Sequence, residues 1–168
     1  MVRRAPSPTA AVSPTAGLHY EAHAEHGAAA SRPAAGVHHQ GALPRNTHIQ
    51  GCTRPPCALP QLRDAVVNME FVAPRRMTSM RTLATAYMRV GSATVPVPYD
   101  LGANSVTCNH LTNASCPVSS GQTLRYALRI FIEAFFPVGT EVTVEFRIVD
   151  QSNSPVVCVR VPLRIVSP

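Results

Sequence analysis

The sequence is defined first by what it lacks. Every one of its 15 basic residues is arginine; there is no lysine. There is no run of 18 apolar residues, so no segment reads as a membrane-spanning helix. There is no run of five basic residues and no basic stripe interleaved with aromatics, which argues against a nucleic-acid binder despite the formal net charge of +6. Neither a nucleophile elbow nor a P-loop occurs, and the seven acids Asp64, Glu70, Asp100, Glu133, Glu141, Glu145 and Asp150 form no recognisable acid–base pair. A convincing helical period and internal repeats are also missing. So is a sixth cysteine: the chain has five, Cys52, Cys57, Cys108, Cys116 and Cys158.

The first 47 residues are rich in Ala and Pro, hold all the histidines but His48 and His110, and are poor in large aliphatic side chains. They cannot bury enough apolar surface to offset the entropy of ordering, so residues 1–47 read as a disordered low-complexity tail and residues 48–168 as one folded domain. The tail also carries much of the basic excess, with Arg3, Arg4, Arg32 and Arg45 against Glu21 and Glu25. His19, His23 and His26 could share a helix face, but their spacing is that of no known zinc protease, and a solvated tail is the better reading; no metal site is expected. Met1-Val2-Arg3-Arg4 has the charge of a signal-peptide start, whereas residues 5–16 are broken by prolines and lack an apolar h-region.

What the rest contains is period-two alternation. Ala65, Val67, Met69 and Phe71 oppose Asp64, Asn68 and Glu70; Leu124, Tyr126, Leu128, Ile130 and Ile132 oppose Arg125, Arg129 and Glu133. Residues 83–88, 141–148 and 157–165 alternate in the same way. Turn signals at Pro74-Arg75-Arg76, Ser119-Ser120-Gly121, Pro137-Val138-Gly139 and 151–155 separate the runs. Six or so short strands at this spacing predict an all-β antiparallel sandwich.

Cys52-Thr53-Arg54-Pro55-Pro56-Cys57 reads as a tight disulfide-closed loop; the alternatives are free thiols or metal ligands, but no cysteine pair or histidine at zinc spacing accompanies it. Cys108 and Cys116 read as a second disulfide pair, and they enclose a polar loop containing Asn113-Ala114-Ser115, an N-glycosylation acceptor if the chain is secreted. In Val95-Pro96-Val97-Pro98-Tyr99 the prolines cannot donate to a ladder, which predicts either a rigid loop or a sheet edge that opens the interior to a ligand.

In order along the chain, Cys52–Cys57, Gly91 through Tyr99, Cys116-Pro117, Tyr126, Phe136-Pro137, Val144-Glu145-Phe146, Asp150 and the closing run from Cys158 to Val166 resemble the Niemann–Pick type C2 proteins of the MD-2-related lipid-recognition (ML) family, which includes the group 2 mite allergens. The resemblance covers roughly residues 49–166. It implies an immunoglobulin-like β-sandwich that is not an enzyme, needs no cofactor, and holds a sterol or fatty-acyl lipid between its sheets. It implies a monomer in a secreted or lysosomal/endosomal setting, with a possible membrane-protein receptor. Pocket positions carried over from the family are Ile49, Val97, Tyr99, Phe131, Ile132, Phe136 and Pro137; each could equally be ordinary core. The resemblance also implies a first strand whose cysteine pairs with the Cys158 position. None of residues 1–47 is cysteine, so the expectation is a missing or altered first strand and an unpaired Cys158. Asp100, following Tyr99, departs from the family pattern; a carboxylate near the pocket mouth would favour a ligand with a hydroxyl. Two other functions fit a sandwich: an ML-type innate immune lipid-recognition protein acting with a receptor, and an immunoglobulin-like interaction module with a filled core and no ligand.

Overall fold

Alternating side chains become strands because one face of each run can be buried while the other stays wet. The computed structural model describes residues 41–168. Its strands are β1 (Asn46–Ile49), β2 (Cys57–Pro60), β3 (Asp64–Val72), β4 (Met80–Val90), β5 (Ala93–Tyr99), β6 (Thr123–Phe131), β7 (Glu141–Asp150) and β8 (Pro155–Val166), with two short 3-10 turns at Gly102–Ser105 and Thr107–His110. They form a three-stranded sheet, β1-β3-β6, and a five-stranded sheet, β2-β8-β7-β4-β5. The expected all-β sandwich is present. The core lies between the sheets, with Phe71, Leu124, Tyr126 and Leu128 from the smaller sheet buried together with Phe146, Ile148 and Val157 from the larger.

The sandwich is not wholly antiparallel. β2 runs parallel to β8, with Cys57 beside Leu163. The Cys52–Cys57 loop explains this, since it carries the chain from β1 in one sheet to β2 at the edge of the other.

The domain also begins earlier than its composition suggests. Residues 41–47, read from sequence as tail, belong to the fold. The Ala42 N–H donates to the Val156 carbonyl at 3.3 Å and the Cys158 N–H to the Ala42 carbonyl at 2.9 Å, while Asn46 and Thr47 pair with Glu70 and Met69. The described part of the domain therefore starts with an isolated bridge at Ala42 and the short β1. Composition misses these residues because a sheet edge is satisfied through backbone groups, which every sequence carries. Gly41 suits this approach. Its φ is 124°, and a Cβ there would come within 3.0 Å of the Val157 carbonyl carbon. The expected low-complexity tail up to residue 40, its His19, His23 and His26, and the signal-peptide question lie outside the described residues.

Polar clamps fix the turns. Asp150 ends β7, and its Oδ1 accepts from the N–H groups of Ser152 (2.9 Å) and Ser154 (3.0 Å). Its Oδ2 takes the Arg75 Nε–H at 2.6 Å. Burial alone would raise this carboxyl, but the bonds from Arg75 and the two amides outweigh it and hold the pKa below the ordinary value of 3.8. Inside the sandwich, the Thr82 hydroxyl meets that of Tyr126 at 2.7 Å and that of Thr107 at 2.8 Å, tying β4 to β6 and to the second 3-10 turn. Burial pushes the Tyr126 phenol up to about 12, against the opposing effect of its bond to Thr82.

Candidate functional site

A cavity of about 120 Å³ lies between the two sheets. One water needs only about 10–15 Å³ on the same measure, so the space would hold a stretch of hydrocarbon. Its origin is in the side chains. β4 presents Ala84, Ala86 and Met88 to the interior, β3 presents Ala65 and Val67, β7 presents Val142, Val144 and Phe146, and β8 presents Leu163 and Ile165. Ala84 stands beside Phe146 in β7 and Tyr99 in β5. Alanines at facing positions leave a gap that larger side chains would close. Among the lining residues described, Tyr99 and Thr140 bring hydroxyls, and none is charged.

The seven positions expected to bind a ligand divide in two. Ile49, Tyr99, Ile132 and Phe136 line the cavity. Val97, Phe131 and Pro137 do not. Phe131 lies in β6 on the same face as Arg129, since successive side chains point to opposite sides, and is 45 % exposed. Its neighbours Ile130 and Ile132 take the interior instead. Val97 is opposite Ala86 but on the outermost strand, and it too is exposed. Pro137 follows Phe136 in the turn after β6 and is exposed. The sequence reading missed the cavity wall of β4, β7 and β8. The signal was there in the alternating sets 84–88, 142–146 and 163–165, although nothing local says which face of β4 turns inward.

The lining includes the exposed Met88 and the half-buried Tyr99 and Phe136, so the cavity opens toward β5 and the turn at 133–137. β5 pairs with β4 alone and is the edge strand its prolines demand; Gly91, at φ 62°, starts the hairpin turn between them. The Gln61 Nε2–H₂ group donates to the carbonyls of Ala134 (2.9 Å) and Phe136 (2.6 Å), fixing that turn against the start of β3. The Phe136 ring lies 6.1 Å from that of Tyr99 and 4.4 Å from that of Phe135. Around this opening the surface is apolar, with Met88, Val95, Val97 and Phe135 all exposed. The Tyr99 phenol is raised, chiefly by burial and then by the negative charges of Glu133 and Asp100.

Two disulfides join Cys52 to Cys57 and Cys108 to Cys116, with Cα–Cα separations of 5.3 and 5.7 Å. Cys158 belongs to neither. It is fully buried, and burial followed by the charge of Glu145 pushes its thiol up to about 11. The same outer face of the large sheet holds a buried ion pair, Arg160 Nε–H to Glu145 Oε2 at 2.8 Å, with the Arg160 guanidinium 4.0 Å from the centre of the Tyr87 ring. Asn113 is exposed, and its side chain docks on β6. Its Nδ2–H₂ group donates to the Thr123 carbonyl at 3.0 Å and its Oδ1 accepts from the Arg125 N–H at 2.8 Å. Among the described residues no group of three His, Cys, Asp or Glu is placed to hold a metal ion, and no helix is long and apolar enough to cross a membrane.

The family model for the ML domain matches residues 39–165. The chain belongs to the ML domain family. As an ML domain it is not an enzyme. It is 22% identical over 119 residues to the zebrafish (Danio rerio) NPC intracellular cholesterol transporter 2, covering 71% of this chain and 74% of that protein. Its fold matches that of a Niemann–Pick type C2 protein from the Japanese carpenter ant with a TM-score of 0.61 and 18% identity, over 71% of this chain and 89% of the other. A chicken MD-1 structure, complexed with lipid IVa, is more distant, at a TM-score of 0.42 and 14% identity over 68% of this chain and 75% of that one.

Proposed function

We propose that this ML domain is a lipid carrier that takes a sterol into the cavity between its sheets and delivers it to a membrane or a receptor. The observation that carries the reading is the uncharged, mostly hydrocarbon cavity beside the open β5 edge. Each CH₂ moved from water into such a site gains about 0.8 kcal/mol, so burial alone supplies affinity for a sterol or an acyl chain. The zebrafish relative is named as a cholesterol transporter, which supports a sterol as the cargo. Ile49, Tyr99, Ile132 and Phe136 would contact it. Two disulfides and an exposed sequon at Asn113 support a secreted or lysosomal-lumen glycoprotein.

The test is transfer. Donor vesicles holding a fluorescent sterol are mixed with acceptor vesicles, with and without the protein. The carrier reading expects the transfer rate to rise in proportion to protein concentration. A rate that does not depend on the protein counts against it.

A further inference from the structure

We propose that the Asn113 side chain serves either as a clamp on β6 or as a glycan acceptor, never both, so that a chain that folds first closes its own modification site. The inference goes beyond the carrier reading and does not depend on it.

Asn113-Ala114-Ser115 is the chain's one acceptor triplet for N-glycosylation. Asn113 is exposed, which by itself would leave it open to modification, but its amide is already engaged. β6 ends the small sheet and pairs with β3 along one edge only. The loop closed by Cys108 and Cys116 covers the other edge: Leu111 bridges to Tyr126, and the Thr112 N–H donates to the Arg125 carbonyl at 2.8 Å. There the Asn113 side chain takes over from the backbone. Its Oδ1 accepts the Arg125 N–H at 2.8 Å, and its Nδ2 donates to the Thr123 carbonyl at 3.0 Å. Thr123 and Arg125 are two residues apart on one strand, so these backbone groups leave β6 on the same side. One amide reaches both only through its oxygen and the Nδ2 hydrogen that lies on the oxygen's side.

N-glycosylation breaks an Nδ2–H bond and joins Nδ2 to C1 of an oligosaccharide. The proton passes to a base, and the polyprenyl pyrophosphate that carried the sugar departs. The product is a secondary amide, which keeps its remaining N–H opposite its C=O. The sugar therefore takes the place of the very hydrogen that binds Thr123, and it would be driven into the edge of β6. In the clamped chain that same hydrogen is covered by the strand. Modification must come before residues 111–113 pair with β6.

The test starts from the full chain made without a glycan. It is offered to a single-subunit oligosaccharyltransferase with a lipid-linked chitobiose donor, either folded or with dithiothreitol, which opens both disulfides. Intact mass reports the modification. The modified chain is then reoxidised, and hydrogen exchange of the Arg125 N–H is compared with that in the unmodified chain and in Asn113→Ala. Each rate is taken relative to that of the Cys158 N–H, which donates to the Ala42 carbonyl on the other sheet.

The competition predicts that the reduced chain is modified at least about tenfold faster than the folded one. It also predicts an Arg125 N–H that exchanges at least about tenfold faster, relative to Cys158, in the modified chain and in Asn113→Ala than in the unmodified chain. Equal modification of folded and reduced chains overturns it. So does an Arg125 N–H as protected in the modified chain as in the unmodified one. Unaltered exchange in Asn113→Ala means there is no clamp, and no modification in either condition means there is no acceptor; both also overturn it. All of these outcomes leave the carrier reading standing.

Discussion

Ala84 lies directly beside Phe146 in the register of β4 and β7, and both side chains form the wall of the cavity. Position 84 carries one methyl group, and with Ala65 and Ala86 it leaves the space open. Ala84→Leu should fill part of it. A filled core would lose about 1–3 kcal/mol to overpacking; here the lipid-free domain should change by less than about 1 kcal/mol, because the new methyls enter a void. Sterol affinity should fall at least about tenfold as the added carbons compete for the ligand's place. Urea denaturation and sterol titration on the same variant check both outcomes.

Asp150 couples the β7–β8 turn to Arg75, before β4. Its pKa is lower in the folded chain than the ordinary 3.8. The group therefore adds stability that is present above about pH 4 and is lost as pH falls through the folded value. Asp150→Ala removes an acceptor of three hydrogen bonds and should cost about 2–3 kcal/mol at pH 7. The loss should shrink toward pH 2, which thermal melts across pH 2–7 would follow.

Glu145 and Arg160 pair in a buried setting, with side-chain exposures of 10 % and 3 %. Glu145→Ala should cost about 3–5 kcal/mol because it strands the guanidinium. Replacing both together, with Glu145→Leu and Arg160→Met, should be nearly neutral or stabilising. A double-mutant cycle by chemical denaturation measures the coupling.

Tyr126 contributes at the other end of the pH scale. Its folded pKa of about 12 lies above the ordinary value of 10.0, so its stabilising share is complete below pH 10 and is lost as pH rises toward 12. Tyr126→Phe should cost about 1 kcal/mol at pH 7, the worth of one buried hydrogen bond to Thr82, and should flatten the alkaline fall. Denaturation midpoints between pH 8 and 11 provide the comparison.

Much of this was legible from alternation, and the exceptions have physical reasons. The set Leu124 to Ile132 already assigned Ile130 and Ile132 to one face; carrying Phe131 over from the family pattern conflicted with that pleat, and the pleat prevailed. The two disulfides followed from close spacing. The inward face of β4 was hidden because Ala84 and Ala86 are no more apolar than Leu83 and Tyr87 across the strand; only the opposing sheet decides which set is inside. Glu145 and Arg160 read as a polar outer face, which they are, but their burial depends on tertiary contacts that no local pattern encodes. The early start at residues 41–47 rests on backbone pairing, to which composition is blind.

The central claim is that the space between the sheets holds a lipid. Titration of the delipidated chain with a fluorescent sterol tests it most directly. The account predicts saturable binding of one sterol per chain at micromolar concentration or below, with Ala84→Leu at least about tenfold weaker. No saturable signal up to the sterol's solubility limit, or equal binding by the wild type and Ala84→Leu, would contradict it.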